Sequence, residues 1–422
     1  MNRAQPSSDV GKKANVGSTA PPKKIVVATQ HYPPDQSTTA AIMREIASAL
    51  ATKHEVRVLS GSPSKAMYSS PGHGGPIVIS INNRMSPKQA LIRRAANEFL
   101  FACRMFFALA KQLRAGDVVI AVTAPFVLPH AVVLAAWLKR ARSLIVLHDL
   151  FPEVLVTAGV IKPHSLVERA IRRANNVMFA LASAVVTIGR DAERPLMRYR
   201  GMTQDKIRLI PNWCTLPPGH RPVTAQNHYR RPISARFVVG LSGNLGFTHD
   251  PEIVFDAARL LLDESQVHFL LSGWGTGFDR LRRLQADAKL RNVTLLERVE
   301  DARVEELLAA ADAWVIPYRK HVAGMSVPSR FYNLLAIGRP VILVSEPETE
   351  AALTIVENKV GLVVAPEDAS ALANAILATS TLDHNSIAER AVKLAREFSK
   401  ETALAEYMRV VDELLHAAQA PT

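Results

Sequence analysis

Twice along this 422-residue chain, short apolar, β-branched runs alternate with helix-length amphipathic segments, and a polar stretch rich in Pro and Arg separates the two series. Strands apolar on both faces must be covered on both sides, so this alternation predicts parallel sheets flanked by helices. The first series opens with Lys24-Ile-Val-Val-Ala-Thr29. A helix over about Ser37–Lys53 follows, with Ile42, Ile46, Ala49 and Leu50 on one stripe, and then the strand Glu55-Val-Arg-Val-Leu-Ser60. A βαβ unit of this kind closes with a right-handed crossover. Further strands are expected at Val118–Val122, Leu144–Leu147, Ala184–Ile188 and Ile207–Ile210. The second series begins with Phe237-Val-Val-Gly-Leu-Ser242 and continues through Val267–Ser272, Val293–Leu296, Ala313–Ile316, Val341–Val344 and Gly361–Val364.

The expected organisation is α/β, with two Rossmann-like parallel-sheet domains facing a central cleft. Residues 1–22 read as a disordered tail, too polar for a signal peptide. Residues 23–215 form the first domain, 216–235 a linker and 236–395 the second domain. Residues 396–422 form a last helix that folds back on the first domain. Val118 to Leu138 lacks Asp, Glu, Lys and Arg over a membrane-spanning length. Pro125, Pro129 and His130 interrupt it, and it parses as strand, loop and helix.

Composition narrows the chemistry. Two cysteines, Cys103 and Cys214, support neither a disulfide framework nor a zinc site. A net charge of +13 points to an anionic partner. Nucleic acid is the weakest candidate, because no base-reading motif or stacking platform is visible. Asp-x-Asp occurs nowhere, which argues against a metal-clamped phosphate group.

In open parallel sheets, ligands bind beyond the carboxyl ends of the strands. After the first strand come Tyr32, Asp35, Ser37 and Thr38, residues suited to capping a helix or seating an anion. After another, Leu147-His-Asp-Leu-Phe-Pro-Glu153 gathers His148, Asp149 and Glu153; a His-Asp pair can orient and polarise a hydroxyl or a leaving phosphate. Ser242-Gly-Asn-Leu-Gly246 brings Gly243, Asn244 and Gly246 to the end of a strand. There glycine N–H groups can approach a phosphate, and the following helix would add its positive end. A plain tight turn is the alternative. Gly273 belongs to Ser272-Gly-Trp-Gly-Thr-Gly277, whose glycine spacing is one residue short of a dinucleotide fingerprint and follows the wrong strand. The densest region is Pro317 to Val341, where Arg319, Lys320, Ser329 and Arg330 surround a helix start suited to a diphosphate.

At Tyr32-Pro-Pro-Asp35, His148-Asp-Leu-Phe-Pro-Glu153, Ser242-Gly-Asn-Leu-Gly246 with His249-Asp250, and Ser326-Val-Pro-Ser-Arg-Phe-Tyr332 running into Ala336-Ile-Gly-Arg-Pro-Val341, the chain resembles the retaining glycosyltransferases of family 4, which have the GT-B fold. The resemblance is nearest to bacterial members of the L-fucosamine and colanic-acid fucosyl type, which build O-antigen and exopolysaccharide units. It implies a hexosyltransferase-type enzyme that moves sugar from a nucleoside-diphosphate donor, with retention and without metal or cofactor, to a lipid-linked or oligosaccharide acceptor. The donor would sit in the second domain and the acceptor in the first, beside Tyr32, Asp35, Ser37, Thr38 and Glu153. His148 and Asp149 occupy the place of a His or Asp near the reacting sugar. Asn244 and His249 replace an Arg and a Lys that hold the diphosphate in many relatives, and Met325 and Asn333 replace two Glu. Arg330 becomes the replacement cation, and Glu346 or Glu350 the ribose ligand. A GT-B sugar-nucleotide epimerase and a non-catalytic membrane-surface protein remain as alternatives.

The segment Arg93 to Arg114 reads as one basic, aromatic-rich helix carrying Phe99, Phe101, Phe106 and Phe107. Such a helix can lie in the interface of an anionic membrane. The expected location is therefore the cytoplasm, peripheral on the inner face of the membrane.

Overall fold

A computed structural model of the chain describes residues 22–35, 37–61, 75–83, 91–246 and 248–417. The tail reading for 1–22 therefore falls almost entirely outside the described residues. The first domain runs β1 (Ile25–Thr29), α1 (Thr38–Ala51), β2 (Val56–Ser60), β3 (Ile77–Ser80), α2 (Leu91–Gln112), β4 (Val118–Val122) and α3 (Leu128–Leu138). It continues through β5 (Arg142–Leu147), α4 (Glu153–Thr157), α5 (Leu166–Leu181), β6 (Ala184–Thr187), α6 (Glu193–Leu196) and β7 (Ile207–Leu209). Its seven strands are all parallel, in the order β3-β2-β1-β4-β5-β6-β7.

The second domain contains β8 (Phe237–Asn244), α7 (Glu252–Leu260), β9 (Val267–Trp274), α8 (Thr276–Ala288), β10 (Val293–Leu296), α9 (Val304–Leu308) and β11 (Ala313–Pro317). It ends with α10 (Ser329–Ala336), β12 (Val341–Val344), α11 (Glu350–Asn358), β13 (Gly361–Val364), α12 (Ala369–Thr379) and α13 (His384–Glu397). Six parallel strands take the order β10-β9-β8-β11-β12-β13.

Alternation along β1 explains the layering. Ile25 and Val27 point into a core shared with Ile46 and Leu50 of α1, while Val26 and Ala28 point into one shared with Phe101, Met105 and Val132 of α2 and α3. All five β1 residues are buried, as the uninterrupted apolar run requires. Each large aliphatic side chain buried this way contributes about 1.5–3 kcal/mol. The last helix, α14 (Lys400–His416), lies on the first domain, where Tyr407, Val410 and Val411 complete the α1 core. Between residues 216 and 235, Arg230 ties the chain to Asp312 at 2.6 Å, and the Asn227 amide donates to the Glu306 carbonyl at 2.8 Å.

The apolar run Val118–Leu138 is β4, a loop and α3, and among the described residues no helix is long and apolar enough to cross a membrane. The strand β3 has no counterpart in the sequence reading. Only four residues long, it has Ile77 and Ser80 exposed, too short and too mixed for a periodic signal.

Candidate active site between the two sheets

Strand order reverses between β1 and β4 in one sheet and between β8 and β11 in the other. Crevices open at such switch points, beyond the carboxyl ends of the strands. The loops after β5 and β11 meet across the domain boundary there. The Leu150 N–H donates to the Met325 carbonyl at 3.1 Å, and the Thr157 hydroxyl donates to the His321 carbonyl at 3.0 Å. A cavity of about 510 Å³ lies beside these contacts, lined by Glu153, Arg172, Asp250, Arg319, Lys320 and Met325 among others. A second hollow of about 530 Å³ under α14, near Met408 and His416, lies away from every residue singled out above.

On the second-domain side, Arg330 sits in the first turn of α10 with its guanidinium against the backbone of β8. A Cβ at Gly243, whose φ is +129°, would lie 1.7 Å from Nη1 of Arg330. Only glycine leaves that space. Arg330 has no hydrogen bond or ion pair among the described residues, and burial lowers its pKa to about 10. Two neighbouring cations, Arg319 and Lys320, have protein acceptors of their own. Arg319 Nε donates to the His249 carbonyl at 3.0 Å, and Lys320 pairs with Glu367. Burial, then Arg330 and Arg319, push the His249 pKa down to about 4, so its imidazole is neutral near pH 7. Thr248 Oγ1 lies 3.1 Å from its Nδ1, and its ring packs on Tyr318.

The glycine segment differs from its expected form. Strand β8 continues through Asn244, pairing Gly243 with Gly273 and Asn244 with Trp274 of β9. Gly273 is a packing glycine, since a Cβ there would meet the Gly243 carbonyl at 2.4 Å. Nor does the next helix follow the glycine segment directly. A bridge between His249 and Tyr318 intervenes, and α7 begins only at Glu252. The cation that reaches Gly243 comes instead from α10. Asn244 is exposed, Gly246 half-buried, and Ser329 exposed in the first turn of α10.

On the first-domain side, the loop after β5 holds His148 and Asp149. Thr123 Oγ1, at the end of β4, accepts from both backbone N–H groups at 3.1 and 3.2 Å, which fixes the turn. Nε2 of His148 is enclosed and has no hydrogen-bond partner, and burial lowers the pKa of the ring to about 4. Burial raises Asp149 to about 6, even though a hydrogen bond with the Ser326 side chain favours its charged form. The pair thus abuts the segment that leads into α10. Sequence reasoning gave neither Thr123 nor Ser326 a role at the site: Thr123 stands in no motif, and Ser326 only opens the Ser326–Tyr332 motif.

The acceptor-side residues divide. Tyr32 is buried, which raises its pKa to about 12. Burial alone would raise Asp35, but His31 Nδ1 at 2.6 Å and the Ser37 N–H at 2.8 Å outweigh it and lower its pKa. Ser37 caps α1 by accepting from the Ala40 N–H, and Thr38 is exposed. Glu153 is locked inside its own domain, accepting from Tyr199 Oη at 2.8 Å and Arg172 Nη1 at 2.8 Å.

Two expected ribose ligands are occupied by protein. Glu346 accepts from the backbone N–H groups of His321 and Val322 at 2.9 and 3.1 Å and shapes that loop. Glu350 gives both oxygens to Arg190 of the first domain, at 3.0 to 3.2 Å from its Nε and Nη2. Beside this pair, Asp191 Oδ2 accepts from the Gly324 N–H at 2.8 Å. The Arg-Asp pair directly after apolar β6 was the signal available in sequence. Asn333 turns away from the seat, and its Oδ1 accepts from the N–H groups of Thr215 and Leu216 where the chain leaves the first domain.

Both domains match families of known proteins. Residues 39–216 match the family described as Glycosyltransferase Family 4, and residues 236–381 match Glycosyl transferases group 1. The chain is 27% identical over 338 residues to the probable glycosyltransferase WbjE of Pseudomonas aeruginosa, covering 78% of this chain and 83% of that protein. It is 24% identical over 408 residues to the putative colanic acid biosynthesis glycosyl transferase WcaI of Escherichia coli K12, covering 91% and 98%. Among solved structures, HepE of Anabaena in complex with UDP superposes with a TM-score of 0.66 at 16% identity, covering 92% of this chain and all of that one.

Proposed function

We propose that this chain, a glycosyltransferase of the GT-B fold, moves a hexosyl-type sugar with retention from a nucleoside-diphosphate donor to a lipid-linked glycan acceptor in bacterial polysaccharide synthesis. The observation that carries the donor assignment is Arg330, a half-buried guanidinium packed against Gly243 with no acceptor among the described residues. A charge held this way is costly unless an anion completes it. The leaving diphosphate of a sugar nucleotide supplies that anion, and charge-assisted bonds to it strengthen as the glycosidic bond breaks. Gly243, Asn244, Gly246, His249 and Ser329 would line the diphosphate seat, with Gly273 on the nucleoside side. UDP bound to HepE supports a nucleotide donor, and the name of WcaI supports the polysaccharide setting.

His148 and Asp149 act on the reacting sugar in this reading. A neutral imidazole that substrate reaches can hold a sugar hydroxyl, and Asp149 can accept one. Glu346 keeps a donor-side position by shaping the loop at His321 and Val322. Glu350 does not hold the ribose in this reading, because Arg190 takes both its oxygens. No cofactor or metal takes part, and helix α2 rests on an anionic membrane at the cytoplasmic face.

Turnover of radiolabelled sugar nucleotides, with and without a lipid-linked acceptor fraction, tests the proposal. Label should pass to the acceptor and stay on the nucleotide without it. Free sugar released without acceptor would instead favour an epimerase, and no turnover with any donor a non-catalytic protein.

A further inference from the structure

Helices α2, α3 and α5 pack side by side over one face of the first sheet, where Phe101, Met105, Val132, Ala136, Met178 and Phe179 fill the core beneath them. Their outward faces are unusually apolar. Phe99 is 65% exposed and Phe107 64% on α2, Trp137 57% and Leu138 54% on α3, and Leu166 82% and Val177 60% on α5.

Charge on this layer has one sign. The only acids on the three helices are Glu98 and Glu168, both buried and paired with Arg94 and Arg172. Arg93, Lys111, Arg169 and Arg173 are exposed, with no acidic partner among the described residues, and Arg140 is exposed just after α3. Arg172 of α5 also lines the interdomain cavity, so the layer leads directly to the cleft.

From this we infer that the whole α2–α3–α5 layer, not α2 alone, is a docking face for an anionic bilayer, with Trp137 and Leu138 of α3 at its centre. The inference rests on the membrane reading of α2 and extends it to α3 and α5. Trp and Phe favour the headgroup boundary, where one side of the ring is apolar and the other wet. Exposed Lys and Arg around them are drawn to anionic headgroups. A partner protein with ordinary mixed charge would meet a surface without an exposed acid on any of its three helices. The bilayer also explains why the layer borders the cleft: a docked chain holds the cavity at the surface where a lipid-linked acceptor lies.

Vesicles of phosphatidylglycerol and phosphatidylcholine at low salt, with the full chain, provide the test. Of the four tryptophans, Trp213 and Trp314 are buried and Trp274 is covered by Arg298, which leaves Trp137 as the reporter. Brominated lipid should quench the intrinsic fluorescence, and Trp137→Phe should abolish the quenching. Three pairs of changes, Arg93→Glu with Lys111→Glu, Trp137→Ser with Leu138→Ser, and Arg169→Glu with Arg173→Glu, should each weaken vesicle binding at least tenfold, with thermal midpoints unchanged. If only the α2 pair weakens binding and Trp137 is not quenched, the three-helix face is wrong while the α2 reading survives. Absence of binding by the unaltered chain overturns both. Self-association in sedimentation velocity that the Trp137 and Leu138 pair abolishes, without vesicle binding, makes the face a dimer contact and overturns the inference.

Discussion

Arg330 and Gly243 fit together as a side chain and the absence of one: the guanidinium occupies the space a Cβ at Gly243 would need, 1.7 Å from Nη1. They are 87 residues apart, on α10 and at the end of β8. The pair places a positive charge without an acidic partner among the described residues at the end of β8, and it supplies two independent ways to test the proposed donor seat.

Replacing Arg330 with Ala should lower kcat/KM by about 1.5–3 kcal/mol of transition-state stabilisation, roughly ten- to over a hundredfold. Gly243→Ala should reproduce much of this loss by displacing the guanidinium, with Arg330 itself intact. Steady-state kinetics on both variants check the relation. A Gly243→Ala enzyme with normal kcat/KM would show that the contact does not position the cation.

His148→Ala and Asp149→Ala should each lower kcat by about 10²–10⁴ while leaving the melting temperature nearly unchanged. If the soluble variants turn over normally, the pair serves only to shape the loop after β5.

The same two residues should give opposite pH signatures in stability. His148 falls from 6.5 to about 4 on folding, so below pH 6.5 the unfolded chain binds the extra proton and stability drops. Asp149 rises from 3.8 to about 6, so its contribution is present below pH 3.8 and is lost as pH climbs through 6. Between pH 7 and pH 5 the unaltered protein should lose about 2 kcal/mol relative to His148→Gln and gain about 1 kcal/mol relative to Asp149→Asn. Urea midpoints at the two pH values measure both, and parallel shifts in the two variants would contradict the assignment.

Arg190 and Glu350 join the two domains, but Arg190 is 43% exposed, so the pair is screened by solvent. A double-mutant cycle with Arg190→Ala and Glu350→Gln should give a coupling energy of about 1 kcal/mol or less in stability. The larger effect should be on domain closure, read as a greater radius of gyration in X-ray scattering for either variant. An unchanged radius would make the bridge incidental.

Transfer activity should survive EDTA, because the chain contains no Asp-x-Asp and the proposed seat neutralises the diphosphate with Arg330. Loss of activity on chelation, restored by manganese, would sink this part of the mechanism.

Much of the architecture could be read from the chain alone. Apolar runs such as Ile25–Thr29 and Val118–Val122, short and rich in β-branched residues, read as strands covered on both faces. The rule that ligands gather beyond strand ends then led to His148, Asp149, Gly243 and Arg330, because position relative to a strand is a local property. What stayed hidden depends on partners distant in sequence. Glu350 looked free to meet a ribose, yet Arg190 lies 160 residues earlier and takes its oxygens. Asn333, which the resemblance sets at the place of a Glu, secures Thr215, 118 residues away.

The resemblance pointed to Arg330 as the cation, although Arg319, Lys320 and Arg330 are alike as residues. Only folding separates them, engaging the first with the His249 carbonyl and the second with Glu367. Sequence determined the two parallel sheets and the strand ends where chemistry gathers, through periodicity and the need to bury apolar surface. Tertiary structure decided which polar groups are paired and which are left open. Hydrogen bonds and ion pairs act over a few ångströms in space. Folding of the second domain alone brings Arg319 to His249 and Lys320 to Glu367, and contact between the domains is needed to bring Arg190 to Glu350.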